Sequence, residues 1–184
     1  QAILNASAQL DLFDLETGRP YEAGIAMLPI SEQVCEWNRK ARILSEKCRL
    51  APQDTELRQQ LNDYCATVNQ WVESQVADLL KQGKIVGAIG GDHATPYGAI
   101  RAHLAHYPTM GILHIDAHAD LRKAYEGFEW SHASIMYNVI TKKGGKYATH
   151  IRGGRRRKTT YVEFFFTGPA DRHLMFCFSR DEFD

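Results

Sequence analysis

The sequence has no surplus of either charge. Its 22 Lys and Arg balance 22 Asp and Glu, so the formal net charge is zero. A general nucleic-acid binder, which needs a basic surface for phosphate contacts, is not expected. Long apolar runs are also lacking. None approaches the ~18 residues of a membrane-spanning helix, so no membrane segment is expected. The stretch Gln1 to Leu10 has no basic region leading into an apolar one, so no secretory signal is expected. Cysteine is sparse: Cys35, Cys48, Cys65 and Cys177 form no C-x-x-C pair, which argues against a zinc ribbon. Their even count permits disulfides, but reduced thiols in a cytoplasmic protein are the expected state. No internal repeat is visible.

What is present suits a folded α/β chain. A chain of 184 residues with 44% hydrophobic residues can bury a sizeable core. Leu10 to Pro20 reads as a short extended segment running into a turn. From Ser31, a candidate N-cap, helical spacing places Val34, Trp37, Ala41, Leu44 and Cys48 on one face. A longer helix is predicted from about Asp54 to Gln82, ending at Gly83. Its apolar stripe is Leu57, Leu61, Tyr64, Val68, Val72, Val76 and Leu79, with Trp71 beside it.

The run Lys84 to Ile89 reads as a buried strand, Thr95 to Tyr107 as a helix closed by Pro108, and Met110 to Ile115 as a second buried strand. Strand, helix and strand at this spacing predict a βαβ unit with parallel strands. A further helix is predicted over Ser131 to Ile140. Between Thr141 and Thr160 eight basic residues occur with no acidic one. A solvated loop is the expected form, and a patch for anionic ligands is the alternative. Strand-like runs follow at Tyr161–Phe166 and His173–Phe178.

The chemistry gathers where the two apolar runs end. The first ends in Gly90-Gly91-Asp92-His93 and the second in Asp116-Ala117-His118-Ala119-Asp120. Residues two apart on a strand point to one side, so Asp116, His118 and Asp120 project together if the strand persists that far. Ligands of open parallel sheets bind at the carboxyl ends of strands. If the two strands are neighbours, His93 joins the other three. Two imidazoles and two carboxylates at one rim suit a divalent metal, and a carboxylate-rich set with some His suits manganese.

These motifs resemble signatures of the ureohydrolase family, which includes arginases and agmatinases. Gly90-Gly91-Asp92-His93 resembles its G-G-D-H and Asp116 to Asp120 its D-A-H-x-D. Ser131-His132 resembles a downstream S-H-G segment, with Ala133 in place of the Gly. The resemblance implies two Mn²⁺ per chain, with His93 and Asp120 on one ion, His118 on the other and Asp116 bridging. Asp92 would orient His93 or its backbone. Asp181 would align with a further metal Asp and Asp184 with the last Asp of S-F-D-x-D-x-x-D-P, whereas Ser179 stands where that motif has a bridging Asp.

The implied activity is hydrolysis of a small guanidino compound to urea and an amine, through attack of a metal-bridging hydroxide. Asp120 would protonate the leaving amine and His132 would shuttle protons. The expected fold is an arginase-like α/β domain, three-layer α/β/α with a mainly parallel sheet. It would span residues 1–184 as a single domain lacking the C-terminal part of the family fold. A cytoplasmic homo-oligomer is the implied state. A non-catalytic relative that works by binding, or another metal-dependent C–N hydrolase such as a deacylase, are the alternatives.

Overall fold

A computed structural model of the chain describes residues 2–10, 12–108, 110–116, 118–141, 149–156, 159–166 and 174–178. The chain divides into two compact units, Gln1–Glu36 and Trp37–Asp184.

The first unit opens with the short helix α1, Ala2–Ser7. A tight turn follows, where the Asp14 carboxylate accepts from the backbone N–H groups of Glu16 and Thr17 and from the Thr17 hydroxyl. Those bonds hold the Asp14 carboxyl below its usual pKa range. The turn is closed by an isolated antiparallel bridge, Asp14 to Gly18. A 3₁₀ turn covers Pro20–Ala23. Helix α2, Glu32–Leu50, begins in this unit, and the Ser31 hydroxyl accepts from the N–H of Val34 as an N-cap does.

In the second unit α2 continues, and the less exposed positions Trp37, Ala41, Leu44 and Cys48 are those its spacing predicts. Helix α3, Thr55–Lys81, starts where the Asp54 carboxylate caps the N–H groups of Glu56 and Leu57, both at 3.0 Å. It stops at Gly83, whose φ of 70° suits a residue without Cβ. Its buried residues are Leu61, Asn62, Asn69, Val76 and Leu80. The deepest face therefore lies slightly round from the predicted stripe and includes two Asn that an apolar count misses.

Helix α4, Tyr97–His106, is the centre of the unit. On one side Ala99 and Ala102 pack against Val76 and Leu80 of α3. On the other, Tyr97, Ile100 and Leu104 meet Ile135, Met136 and Val139, with Met110 completing the cluster. The last three partners belong to α5, Ile135–Thr141. Burying each large side chain in such a cluster contributes about 1.5–3 kcal/mol. An ion pair from Arg101 to Glu73, at 2.7 Å, ties α4 to α3 at the partly exposed edge.

Strand β1, Gly111–Ile115, pairs in parallel with β4, Leu174–Phe178, in the register Gly111 to Leu174 through Ile115 to Phe178. Strands β2, Thr149–Arg156, and β3, Thr159–Phe166, form an antiparallel pair.

Two expectations are corrected. The run Lys84–Ile89 is irregular rather than a strand, with Ile85 fully exposed and Ile89 exposed at 67%. Among the described residues it has no ladder partner, so its backbone has no strand to pair with, and of its side chains Val86 alone is partly buried, against the cluster of Val76 and Leu80. The βαβ unit is thus reduced to its helix and second strand. The basic stretch is not a loop throughout. Its residues 149–156 form β2, because the β-branched and aromatic run of β3 offers a ladder to which backbone groups of any side chain can bond. Residues 142–148, 157 and 158 of that stretch lie outside the described residues. Among the described residues, no helix is long and apolar enough to cross a membrane.

Candidate metal centre

Strand β1 ends at Ile115 and hands the chain to Asp116. Strand alternation puts His114 on the same side as Asp116. The second contribution comes from the turn before α4. There the Asp92 carboxylate accepts from the N–H of Ala94 and the Asp92 carbonyl from the N–H of Thr95. This turn carries His93 inward, where the residue is only 4% exposed.

The third contribution is Asp120, which sits at φ 48°, a left-handed conformation that Asp adopts more readily than most residues. Its carbonyl accepts from the N–H groups of Met136 and Tyr137, at 3.1 and 3.2 Å. These are first-turn donors of α5 that have no partner inside the helix. Asp120 is therefore fastened by its backbone to α5 while its side chain turns into the cluster.

The four side chains meet closely. His93 Nδ1 lies 2.5 Å from Asp120 Oδ2 and 3.0 Å from Asp116 Oδ2. His114 Nε2 lies 3.2 Å from the same Asp116 oxygen. The other Asp116 oxygen accepts from the backbone N–H of His118 at 2.9 Å. The rings of His93 and His114 stack, with centroids 4.8 Å apart. Donor atoms of His93, His114, Asp116 and Asp120 all lie within 4.8 Å of one another, the spacing of ligands around one cation.

Burial alone would raise the Asp116 pKa. The bonds from His114, from His93 and from the His118 N–H outweigh it and hold the carboxyl well below the usual carboxylate range. Asp116 is therefore anionic. The donor set fits a divalent metal on this ground as well as by type. Two carboxylates crowd one His93 nitrogen, a meeting of acceptors that a cation among these groups would relieve.

Of the residues singled out from the sequence, His93, Asp116 and Asp120 are brought together. His118 is exposed and outside the cluster, and its backbone N–H donates to Asp116. The strand ends before it, so alternation does not carry from Asp116 to Asp120. His132 is half-buried at the start of a 3₁₀ turn, His132–Ser134, and meets the Tyr125 ring edge-on at 5.3 Å. Asp181, Ser179 and Asp184 lie outside the described residues. His114 is the residue that sequence reasoning missed. Its signal was the period of two, which places it one step behind Asp116 on the same side of the strand.

The sequence profile of the Arginase family matches residues 2–172. The chain belongs to the arginase family. An arginase-like α/β fold comes with that membership. Among curated relatives, this arginase-family chain is 36% identical over 96 residues to an agmatinase of Halalkalibacterium halodurans, covering 51% of this chain and 33% of that one. It is 34% identical over 144 residues to an N(1)-aminopropylagmatine ureohydrolase of Thermus thermophilus, covering 77% of this chain and 40% of that one. The chain thus spans between a third and two fifths of the length of these relatives. No solved structure gives a significant match.

Proposed function

We propose that this arginase-family chain is a metal-dependent amidinohydrolase that releases urea from a guanidino compound. The buried meeting of His93, Asp116 and Asp120 carries the reading. In it, His93, Asp116 and Asp120 would hold metal, with His118 and Asp181 as the further ligands that the family resemblance implies. Manganese, two ions per chain, suits the mix of carboxylate and imidazole. Bound there, the metal would supply a Lewis acid and a water acidified toward neutral pH.

The chain's own residues then do the rest. The anionic Asp116 and a second carboxylate, that of Asp120, favour a cationic guanidinium at the rim. Asp120, a carboxylate at rest, hands to the leaving amine a proton that it takes up from the attacking water. His132 passes protons between the site and solvent, its ring held edge-on by Tyr125. The names of the relatives point to agmatine and aminopropylagmatine as first substrates to try. A single three-layer α/β/α domain, a cytoplasmic setting and a homo-oligomer belong to the same reading and rest on the family.

Urea release from agmatine, aminopropylagmatine, arginine and an acyl-amide control, with added Mn²⁺, tests it. Turnover of a guanidino compound is expected. His132→Gln should lower kcat by roughly 10²–10⁴-fold, the usual share of a proton-transfer group. No urea from any guanidino compound by the metal-loaded protein would refute the activity.

A further inference from the structure

His114 is fully buried, at 0% exposure, in the otherwise apolar strand Gly111–Ile115. A buried imidazole costs free energy that a Leu at the same place would not, unless its polar atoms are bonded. Here Nε2 faces Asp116 Oδ2 at 3.2 Å, and the ring lies flat against His93. Asp116 is gripped on both oxygens, by His114 and His93 on Oδ2 and by the His118 N–H on Oδ1; with His93 given to the metal, His114 is left as the side-chain donor. Neither family motif includes His114, and none of the roles proposed above uses it.

We infer that His114 is a positioning residue of the metal centre: its Nε2–H donates to Asp116 and fixes the carboxylate in the orientation that a bridging ligand requires. The inference rests on the reading of Asp116 as a metal ligand. A carboxylate free to rotate about its last bond would present the wrong oxygen part of the time. One held by two donors presents a single arrangement and binds with less ordering cost. The contact that matters is the hydrogen bond, and the stacking on His93 is secondary. Length of side chain therefore decides which substitutes work. A Gln amide reaches about as far as Nε2, whereas an Asn amide reaches only about as far as Nδ1 and falls short of Asp116.

The test is metal affinity in the intact protein, read from free Mn²⁺ by electron paramagnetic resonance, with Co²⁺ absorption as a signature of ligand geometry. His114→Leu and His114→Asn should each weaken Mn²⁺ binding by roughly 10- to 100-fold, the range for partners that orient ligands. His114→Gln should restore most of that loss and keep the Co²⁺ spectrum of the native protein. If His114→Leu does not fold, the Asn and Gln variants still decide. Native affinity in the Asn variant overturns the inference. So does a Gln variant as weak as Asn, or one ion fewer in every variant, which would make His114 a ligand. Native protein that binds no metal would instead remove the metal reading on which the inference stands.

Discussion

Gly90 and Gly91 are adjacent and identical, yet the structure predicts opposite responses to alanine. A Cβ on Gly90 would sit 2.5 Å from the Cβ of Thr95 and 2.7 Å from its hydroxyl oxygen. Ordinary van der Waals contact for a Cβ begins near 3.4 Å. Rotating the Thr95 side chain moves its methyl and hydroxyl but leaves its Cβ in place. The backbone must therefore yield by roughly an ångström, at the overpacking cost of about 1–3 kcal/mol.

That backbone is the turn that carries His93. Thr95 lies two residues beyond His93, and its N–H is bonded to the Asp92 carbonyl at 3.2 Å. If the whole cost falls on metal-bound geometry, Mn²⁺ affinity drops roughly 5- to 150-fold. A Cβ on Gly91 meets nothing within 4 Å, and its backbone φ is not in the left-handed range. Gly91→Ala should bind metal as the native protein does, and its melting temperature should hold or rise slightly because the unfolded chain loses freedom. Calorimetric titration with Mn²⁺ and thermal melts of the metal-free protein measure both effects. Equal loss in the two variants, or native affinity in Gly90→Ala, would refute the steric argument.

Gly98→Ala probes the packing of α4 on α3. Its Cβ would fall onto the Asn69 carbonyl oxygen and come within 2.9 Å of the Glu73 nitrogen and 3.0 Å of the Val72 Cβ. The two contacts to backbone atoms cannot be relieved by a rotamer, so overpacking of about 1–3 kcal/mol or more should exceed the ~1 kcal/mol of helix propensity that alanine adds. Urea unfolding should show a net loss, and unchanged or greater stability would count against the close approach. Cys65 offers a test through pH. Burial first, and then the Asp92 charge, push its thiol up to about 11. At pH 8 roughly one molecule in a thousand carries the thiolate, so alkylation there should be slow and rise about tenfold per pH unit toward pH 11. Asp92→Asn should speed labelling of Cys65 at fixed pH, while the exposed Cys35 sets the rate for an accessible thiol in the same digest.

The helices were legible because local signals define them. Ser31, Asp54 and Gly83 mark ends through bonds and angles made within a few residues, and the 3.6-residue spacing needs no knowledge of a partner. The run Lys84–Ile89 carries the same apolar signal as β1, yet among the described residues β1 alone of the two has a ladder, supplied by β4 from far along the chain. Side-chain pattern states that a segment would be comfortable in a sheet. It does not state which segment will lie beside it, and that decides whether the backbone is paired. The site shows the same division. Spacing placed Asp116 and Asp120 in one constellation, and they do meet, but not through strand alternation. The strand ends at Ile115, and the left-handed turn at Asp120 brings its carboxylate back while leaving His118 exposed. His114 was hidden for the opposite reason. Inside an apolar run a single His looks like part of the core, and burial is in fact where it lies. The period of two sets it on the side of Asp116, two residues on, but its role depends on Asp116 being buried and ionised there, and that depends on His93, brought in from another part of the chain.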